Sequence, residues 1–209
     1  MNLANTRQSI KEPAGQRWAL VTGASAGIGA EFSRQLALEK GYNLLVTARR
    51  AERLANLAEE ITQSARLRGL TPLPQVLQVV ADISTESGQQ ALISQVSSLG
   101  ITPDLLINNA GIGSMGDFSR LSFAREAEMV RTNCLGPLVL SHHFLPQMRK
   151  RGTGAVINVG SVCSFVPMPY MATYGATKAF LFSLSLALGR EAARDGVHVM
   201  AVCPGPTDS

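Results

Sequence analysis

Tyr174 and Lys178, in the stretch Tyr174-Gly175-Ala176-Thr177-Lys178, are spaced to share one face of a helix. At i and i+4 their Cβ atoms would lie roughly 5–6 Å apart. A lysine ammonium in that position favours the phenolate, so a phenol of reference pKa about 10 could exchange a proton near neutral pH. The pair is therefore a candidate general acid/base. The same spacing also occurs on ordinary helix surfaces and carries little weight alone. Two further features add weight: Ser161, shortly before the tyrosine, and a glycine-rich turn far upstream between Gly23 and Gly29.

That turn reads Thr22-Gly23-Ala24-Ser25-Ala26-Gly27-Ile28-Gly29 and stands between an apolar run and a helical pattern. Glycines there allow a tight turn and close backbone approach, so the helix N-terminal amides can meet a pyrophosphate. The spacing is GxxxGxG rather than GxGxxG. A plain strand–helix connection would also use glycines, but the position directly after the first strand favours dinucleotide binding. The second apolar run ends in Ala48-Arg49-Arg50. A carboxylate at this place would receive the ribose hydroxyls of NAD, whereas an arginine fork suits a 2′-phosphate. Ala48 removes the acid and Arg49 supplies the fork, so NADP(H) is the expected cofactor; two solvated arginines at a helix start are the alternative.

These residues need a scaffold, and the chain supplies a regular one. Short apolar runs lie at 18–22, 43–47, 76–80, 105–107, 155–159 and 197–202. They are nearly continuous rather than alternating, which suits parallel strands covered on both faces. Helical patterns fall at about 27–40, 51–68, 85–99, 119–150 (broken near Gly136-Pro137) and 174–194, with Gly41, Gly69, Gly100, Gly152 and Gly196 placed as left-handed caps. Alternating strands and helices with right-handed crossovers predict a doubly wound α/β sheet of Rossmann type, with helices on both faces.

Composition bounds the function. The chain has 209 residues, 45% hydrophobic and 16% charged, as expected of one globular domain over 17–209 after a loose polar tail at 1–16. No apolar run reaches the length of a membrane span, and the tail lacks a signal-peptide core. The three cysteines, Cys134, Cys163 and Cys203, show neither CxxC nor metal-ligand spacing, so no metal is expected and a cytoplasmic, reducing setting fits. The net charge of +4 comes from scattered basic residues with few aromatics, so no nucleic-acid partner is expected.

With its motifs in register, the chain resembles the short-chain dehydrogenase/reductase family over roughly residues 16–209. The resemblance rests on the glycine turn, Asp82-Ile83, Asn108-Asn109-Ala110-Gly111, Asn133, Ser161, the Tyr174–Lys178 pair and Pro204-Gly205. It implies a strand order of 3-2-1-4-5-6 and an oxidoreductase interconverting a carbonyl and a secondary alcohol. Asp82 and Ile83 would flank the adenine, and Asn109, Ala110 and Gly111 would wall the cofactor. Asn133 would hold a water-linked proton path to Lys178 from a helix kink, and Ser161 would bond the substrate oxygen. Gly23, Ser25, Gly27, Ile28, Gly29, Arg49, Pro204, Gly205 and Thr207 complete the implied NADP(H) contacts, with Lys178 reaching the nicotinamide ribose. The family also implies a homodimer or homotetramer, paired through the helices near 119–150 and 174–194.

Other residues read more plainly. His142-His143 sit inside a helical pattern without partner ligands and suit a solvated or packed role. Cys163 reads as a packed thiol that could border the pocket. Phe165, Met168, Tyr170 and Met171 are either ordinary packing or an apolar wall beside the reacting carbonyl. The family usually continues past Pro204-Gly205-Pro206-Thr207-Asp208-Ser209 with a lid, a helix and a last edge strand. The 197–202 strand is therefore expected to be an exposed edge. Two functions stay open: an NADP(H)-dependent oxidoreductase, or a catalytically weak cofactor-binding or dimerising relative.

Overall fold

In a computed structural model, residues 16–206 are described; the tail before Gln16 and the expected cofactor contact Thr207 lie outside them. Six parallel strands form one sheet in the order β3-β2-β1-β4-β5-β6, as the resemblance implies. They are β1 Arg17–Thr22, β2 Tyr42–Ala48, β3 Val76–Val80, β4 Leu105–Asn108, β5 Gly154–Val159 and β6 Val197–Val202. The main helices are α1 Gly27–Leu38, α2 Ala51–Leu67, α3 Glu86–Ser98, α4 Phe123–Val130, α5 Gly136–Arg151 and α6 Ala172–Ala192.

The unbroken hydrophobicity of the strands has a direct cause. Successive residues of one strand point to opposite faces, and both faces are covered. On one side Trp18, Leu20, Leu106 and Val156 pack with Leu92 of α3 and Leu140, Phe144 and Met148 of α5. On the other, Ala19, Val21, Val46 and Ile107 pack with Leu36 of α1 and Leu54 and Ile61 of α2. A buried polar ladder crosses the first layer: Asn108 Nδ2 donates to Ser141 Oγ at 3.1 Å and to Asn158 Oδ1 at 2.8 Å. Asn158 Nδ2 in turn donates to Ser185 Oγ at 2.8 Å, so β4, β5, α5 and α6 are fixed by one network.

The strand order reverses between β1 and β4, and the carboxyl ends of these strands open a crevice where such sheets bind ligands. The five expected cap glycines all have left-handed φ values, from 66° at Gly69 to 77° at Gly152. Two expectations need correction. The long helix foreseen at 119–150 starts only at Phe123, because Leu121 is extended after a short 3-10 turn at Phe118–Arg120. Its break comes earlier than Gly136-Pro137, as a π-turn at Arg131–Leu135 in which the Gly136 amide bonds back to Arg131 O. Pro137 follows at once, where the helix runs on from the π-turn into α5, and its ring removes one backbone donor at this break. At the sheet edge, β6 exposes Met200 and Val202, as expected for that strand.

Candidate active site

The glycine turn is locked to the loop after β4. Thr22 Oγ1 donates to Ile107 O at 3.3 Å and accepts the Asn109 and Ala110 amides, each at 3.0 Å. Asn109 Nδ2 returns the contact by donating to Thr22 O at 2.9 Å and Gly23 O at 3.3 Å. Gly23 has φ +66°, and a Cβ there would come within 2.7 Å of Ala110 Cα. A Cβ on Gly29 would overlap Asn109 Nδ2 and Gly23 O. Only glycine permits this approach. The N-terminus of α1 meanwhile has no side-chain cap, and its N-cap residue is Ala26.

Above the turn lies a cavity of about 1080 Å³, wide enough for a dinucleotide and a small substrate. Gly23, Ser25, Gly27, Ile28 and Arg49 line it, with Asp82, Ile83, Asn109, Ala110 and Gly111 along the middle. Ser161, Tyr174, Lys178, Pro204 and Gly205 close the other end. Gly29 and Asn133 stand behind this surface and act through what they hold. Thr47 and Thr132, which the sequence did not single out, also face the cavity, and Thr47 Oγ1 is buried without a hydrogen-bond partner.

The arginine pair divides differently from expectation. Arg49 Nη1 lies 3.0 Å from Glu128 Oε1 and 3.8 Å from Asp82 Oδ2, so carboxylates engage its fork. Arg50 Nη2 donates to Ser25 Oγ at 3.0 Å, directly over the glycine turn. Arg53, one turn into α2, shares the same wall. Arg50 was visible in the sequence as the neighbour of Arg49. Its direction was not, because it depends on where β2 hands over to α2.

At the far end, α6 carries Tyr174 in its first turn and Lys178 one turn on. Lys178 Nζ stands 5.7 Å from the centre of the Tyr174 ring and donates to Val159 O at 2.7 Å. Burial pulls the Lys178 ammonium down to about 8, although the nearby thiols of Cys203, Cys134 and Cys163 oppose the shift. Burial also pushes the Cys134 thiol up to about 11, which leaves it neutral. Ser161 is buried, and its Oγ accepts the Cys163 amide at 3.2 Å. Acting as acceptor there, Oγ keeps its own hydrogen for the cavity. Ser164 fixes this turn by donating to Lys178 O at 3.0 Å.

Asn133 sits fully buried in the π-turn. Its Oδ1 accepts the Ile112 amide at 2.9 Å, and its Nδ2 donates to Ile112 O at 2.9 Å and Thr177 Oγ1 at 3.0 Å. The π-turn thereby clamps both the loop after β4 and α6. A Cβ on Gly111 would sit 3.3 Å from Asn133 Oδ1 and 3.5 Å from Lys178 Nζ, so a bare backbone separates the amide from the ammonium.

The loop residues before Tyr174 take both expected roles. Met168 and Met171 line the cavity, while Phe165 packs edge-on against Phe182 with ring centres 4.9 Å apart. Cys163 is buried and also borders the cavity. His143 is packed edge-on to Phe144 at 4.8 Å, in keeping with a packed role.

The chain matches the family model for short chain dehydrogenases over residues 17–209. It belongs to the short-chain dehydrogenase/reductase family. Among the family's members, the very-long-chain 3-oxoacyl-CoA reductase of Laccaria bicolor is 37% identical over 185 residues, covering 87% of this chain and 52% of that protein. The enzyme of the same name from Coccidioides immitis is 36% identical over 189 residues, with 88% and 52% covered. This chain thus spans about half the length of these relatives. Among solved structures, a short-chain dehydrogenase from Sphingobium yanoikuyae in complex with NADPH superposes with a TM-score of 0.84 at 32% identity, covering 92% of this chain and 72% of that one. The bulky-bulky ketone specific alcohol dehydrogenase from Comamonas testosteroni gives 0.83 at 31%, covering 91% and 73%.

Proposed function

We propose that this member of the family is an NADP(H)-dependent oxidoreductase that interconverts a carbonyl and a secondary alcohol, with Tyr174 as general acid/base. The observation that carries this reading is a single cavity that joins the glycine turn and the arginines at one end to Ser161, Tyr174 and Lys178 at the other. The residues fit a dinucleotide. The uncapped α1 N-terminus offers amides to a pyrophosphate, and the absent side chains at Gly23 and Gly29 leave the backbone bare. Arg49, Arg50 and Arg53 supply positive charge for a 2′-phosphate, and the NADPH complex of the Sphingobium relative supports that choice.

When bound, the nicotinamide supplies the hydride for the carbonyl carbon. Tyr174 then delivers its phenolic proton to the oxygen, whose developing charge Ser161 Oγ stabilises with a second hydrogen bond. Lys178 holds positive charge beside the phenol ring and is itself anchored to Val159 O. Asn133 keeps α6 and the loop after β4 in register, so the acid/base pair faces the cavity.

The mouth of the cavity favours an apolar substituent next to the carbonyl. Val162, Met168 and Met171 line its reacting end, and Val162 and Met168 are exposed there. The names of the fungal acyl-CoA reductases and of the bulky ketone dehydrogenase support the same preference. For association we propose a homodimer through the α4–α6 surface, where Phe123 is 85% exposed and Leu135, Leu138, Phe180 and Leu186 are also open.

Nicotinamide fluorescence titration with NADPH and NADH, followed by a screen of aliphatic ketones and 3-oxoacyl thioesters, tests the proposal. Tighter NADPH binding and NADPH oxidation with apolar carbonyls are expected. Absence of cofactor binding, or binding without turnover of any carbonyl, would refute it.

A further inference from the structure

Glu126 is a buried carboxylate with no part in the chemistry above. It lies on α4 and is 7% exposed, whereas the other acid of that helix, Glu128, pairs with Arg49 and Arg125. Ser114, in the loop after β4, donates its hydroxyl to Glu126 Oε1 at 2.6 Å. The other oxygen, Oε2, is buried without a partner at hydrogen-bond distance. The Ser114 hydroxyl holds this carboxyl below the usual range, against the opposing effect of burial.

The start of α6 needs outside support. Its N-cap, Met171, has no side-chain cap, and no acid stands in its first turn. The residue before that, Tyr170, holds φ +65°, a conformation a non-glycine residue adopts only when its surroundings enforce it. Gly116 donates its amide to Tyr170 O at 2.9 Å, so the loop after β4 and the approach to α6 are already joined once. Between them Gly113 lies flat against the Tyr174 ring, where a Cβ would be 3.5 Å from Cδ2.

Building on the proposed role of Tyr174, we infer that Glu126 is a positioning residue: its carboxylate holds the Ser114 loop on α4, and that loop sets where the Tyr174 hydroxyl points. The Ser114–Glu126 bond holds the loop, and the Gly116–Tyr170 bond carries that hold to the approach of α6. The negative charge also complements the uncapped, positive end of α6. Tyr174 then sits against a floor at Gly113 that the loop holds in place. Glu126 does not line the cavity, so its effect passes through the Ser114 loop.

The test uses Glu126→Ala, Glu126→Gln and Ser114→Ala in the full chain, read by kcat, by NADPH affinity and by amide hydrogen exchange. Glu126→Ala is expected to lower kcat about ten-fold or more while NADPH affinity stays within about two-fold. Exchange at residues 112–116 and 172–176 should accelerate in the same variant. Glu126→Gln keeps an acceptor for Ser114 and should recover most of both losses, and Ser114→Ala should show a smaller version of them. If Glu126→Ala does not fold, Ser114→Ala carries the same comparison. Unchanged exchange and kcat in these variants, or parallel loss of kcat and NADPH affinity, would overturn the inference. A wild-type protein that reduces no carbonyl would refute the proposed activity; the exchange arm would still decide the role of Glu126.

Discussion

Lys178 Nζ donates to the carbonyl of Val159 at 2.7 Å, so the ammonium on α6 is pinned to the last residue of β5, two positions before Ser161. The bond fixes the acid/base end of the cavity to the sheet, and it requires burying a charge. Burial lowers the Lys178 pKa from 10.5 to about 8, which corresponds to roughly 3 kcal/mol of penalty on the charged form. The sign follows from proton binding: between about 8 and 10.5 the unfolded chain holds a proton that the folded chain has released, so stability rises with pH across that window. Below it the full penalty applies. After allowing for the lost bond to Val159, Lys178→Met should stabilise the fold by roughly 1–2 kcal/mol at pH 7 while abolishing turnover. Thermal melts should show the gain shrinking towards pH 10.5. A destabilised variant at pH 7 would contradict this.

Selectivity for NADPH should be shared by Arg49 and Arg50. Arg49 is held by Glu128 at 3.0 Å and Arg50 by Ser25 at 3.0 Å, on two sides of the same wall. Arg49→Ala and Arg50→Ala should each weaken NADPH binding about ten-fold and leave NADH nearly unchanged. Because Glu128 competes for the Arg49 fork, Glu128→Gln should tighten NADPH binding a few-fold. Fluorescence titrations measure all three. Equal losses for both cofactors would remove the arginines from this role.

Gly29→Ala isolates the packing of the turn from its charge. The added methyl would collide with Asn109 Nδ2 and Gly23 O and break the tie that Asn109 makes to the turn. Destabilisation of about 1–3 kcal/mol is expected, with loss of both NADPH and NADH binding. Chemical denaturation and the same titrations check it. Retained binding of either cofactor would show that the turn tolerates the shift.

Much of this arrangement was legible in the sequence, for identifiable reasons. The strands announced themselves because both faces of the sheet are covered. The helix ends were marked by glycines that only left-handed caps require. Glycine turn, Ser161, Tyr174 and Lys178 carried their own spacing and meet in one cavity. The π-turn was less legible, since Arg131-Thr132-Asn133-Cys134-Leu135 contains no breaker; a buried Asn133 that bonds Ile112 and Thr177 holds that turn in place. Glu126 gave no signal either. Its helix reads as a solvated surface until tertiary packing brings Ser114 onto it. Arg49 was recognised by position, but its pairing with Glu128, far along the chain, depends on how α4 returns over the β2 end.

The central claim is that Tyr174 donates the proton to the reacting oxygen, and Tyr174→Phe tests it most directly because only the hydroxyl is removed. The measurement is the single-turnover rate of NADPH oxidation with an apolar ketone that the wild-type protein reduces, taken alongside the NADPH dissociation constant. The expected result is a rate at least about a hundred-fold below wild type with the dissociation constant within about two-fold. A Tyr174→Phe protein that turns over at the wild-type rate would contradict the assignment.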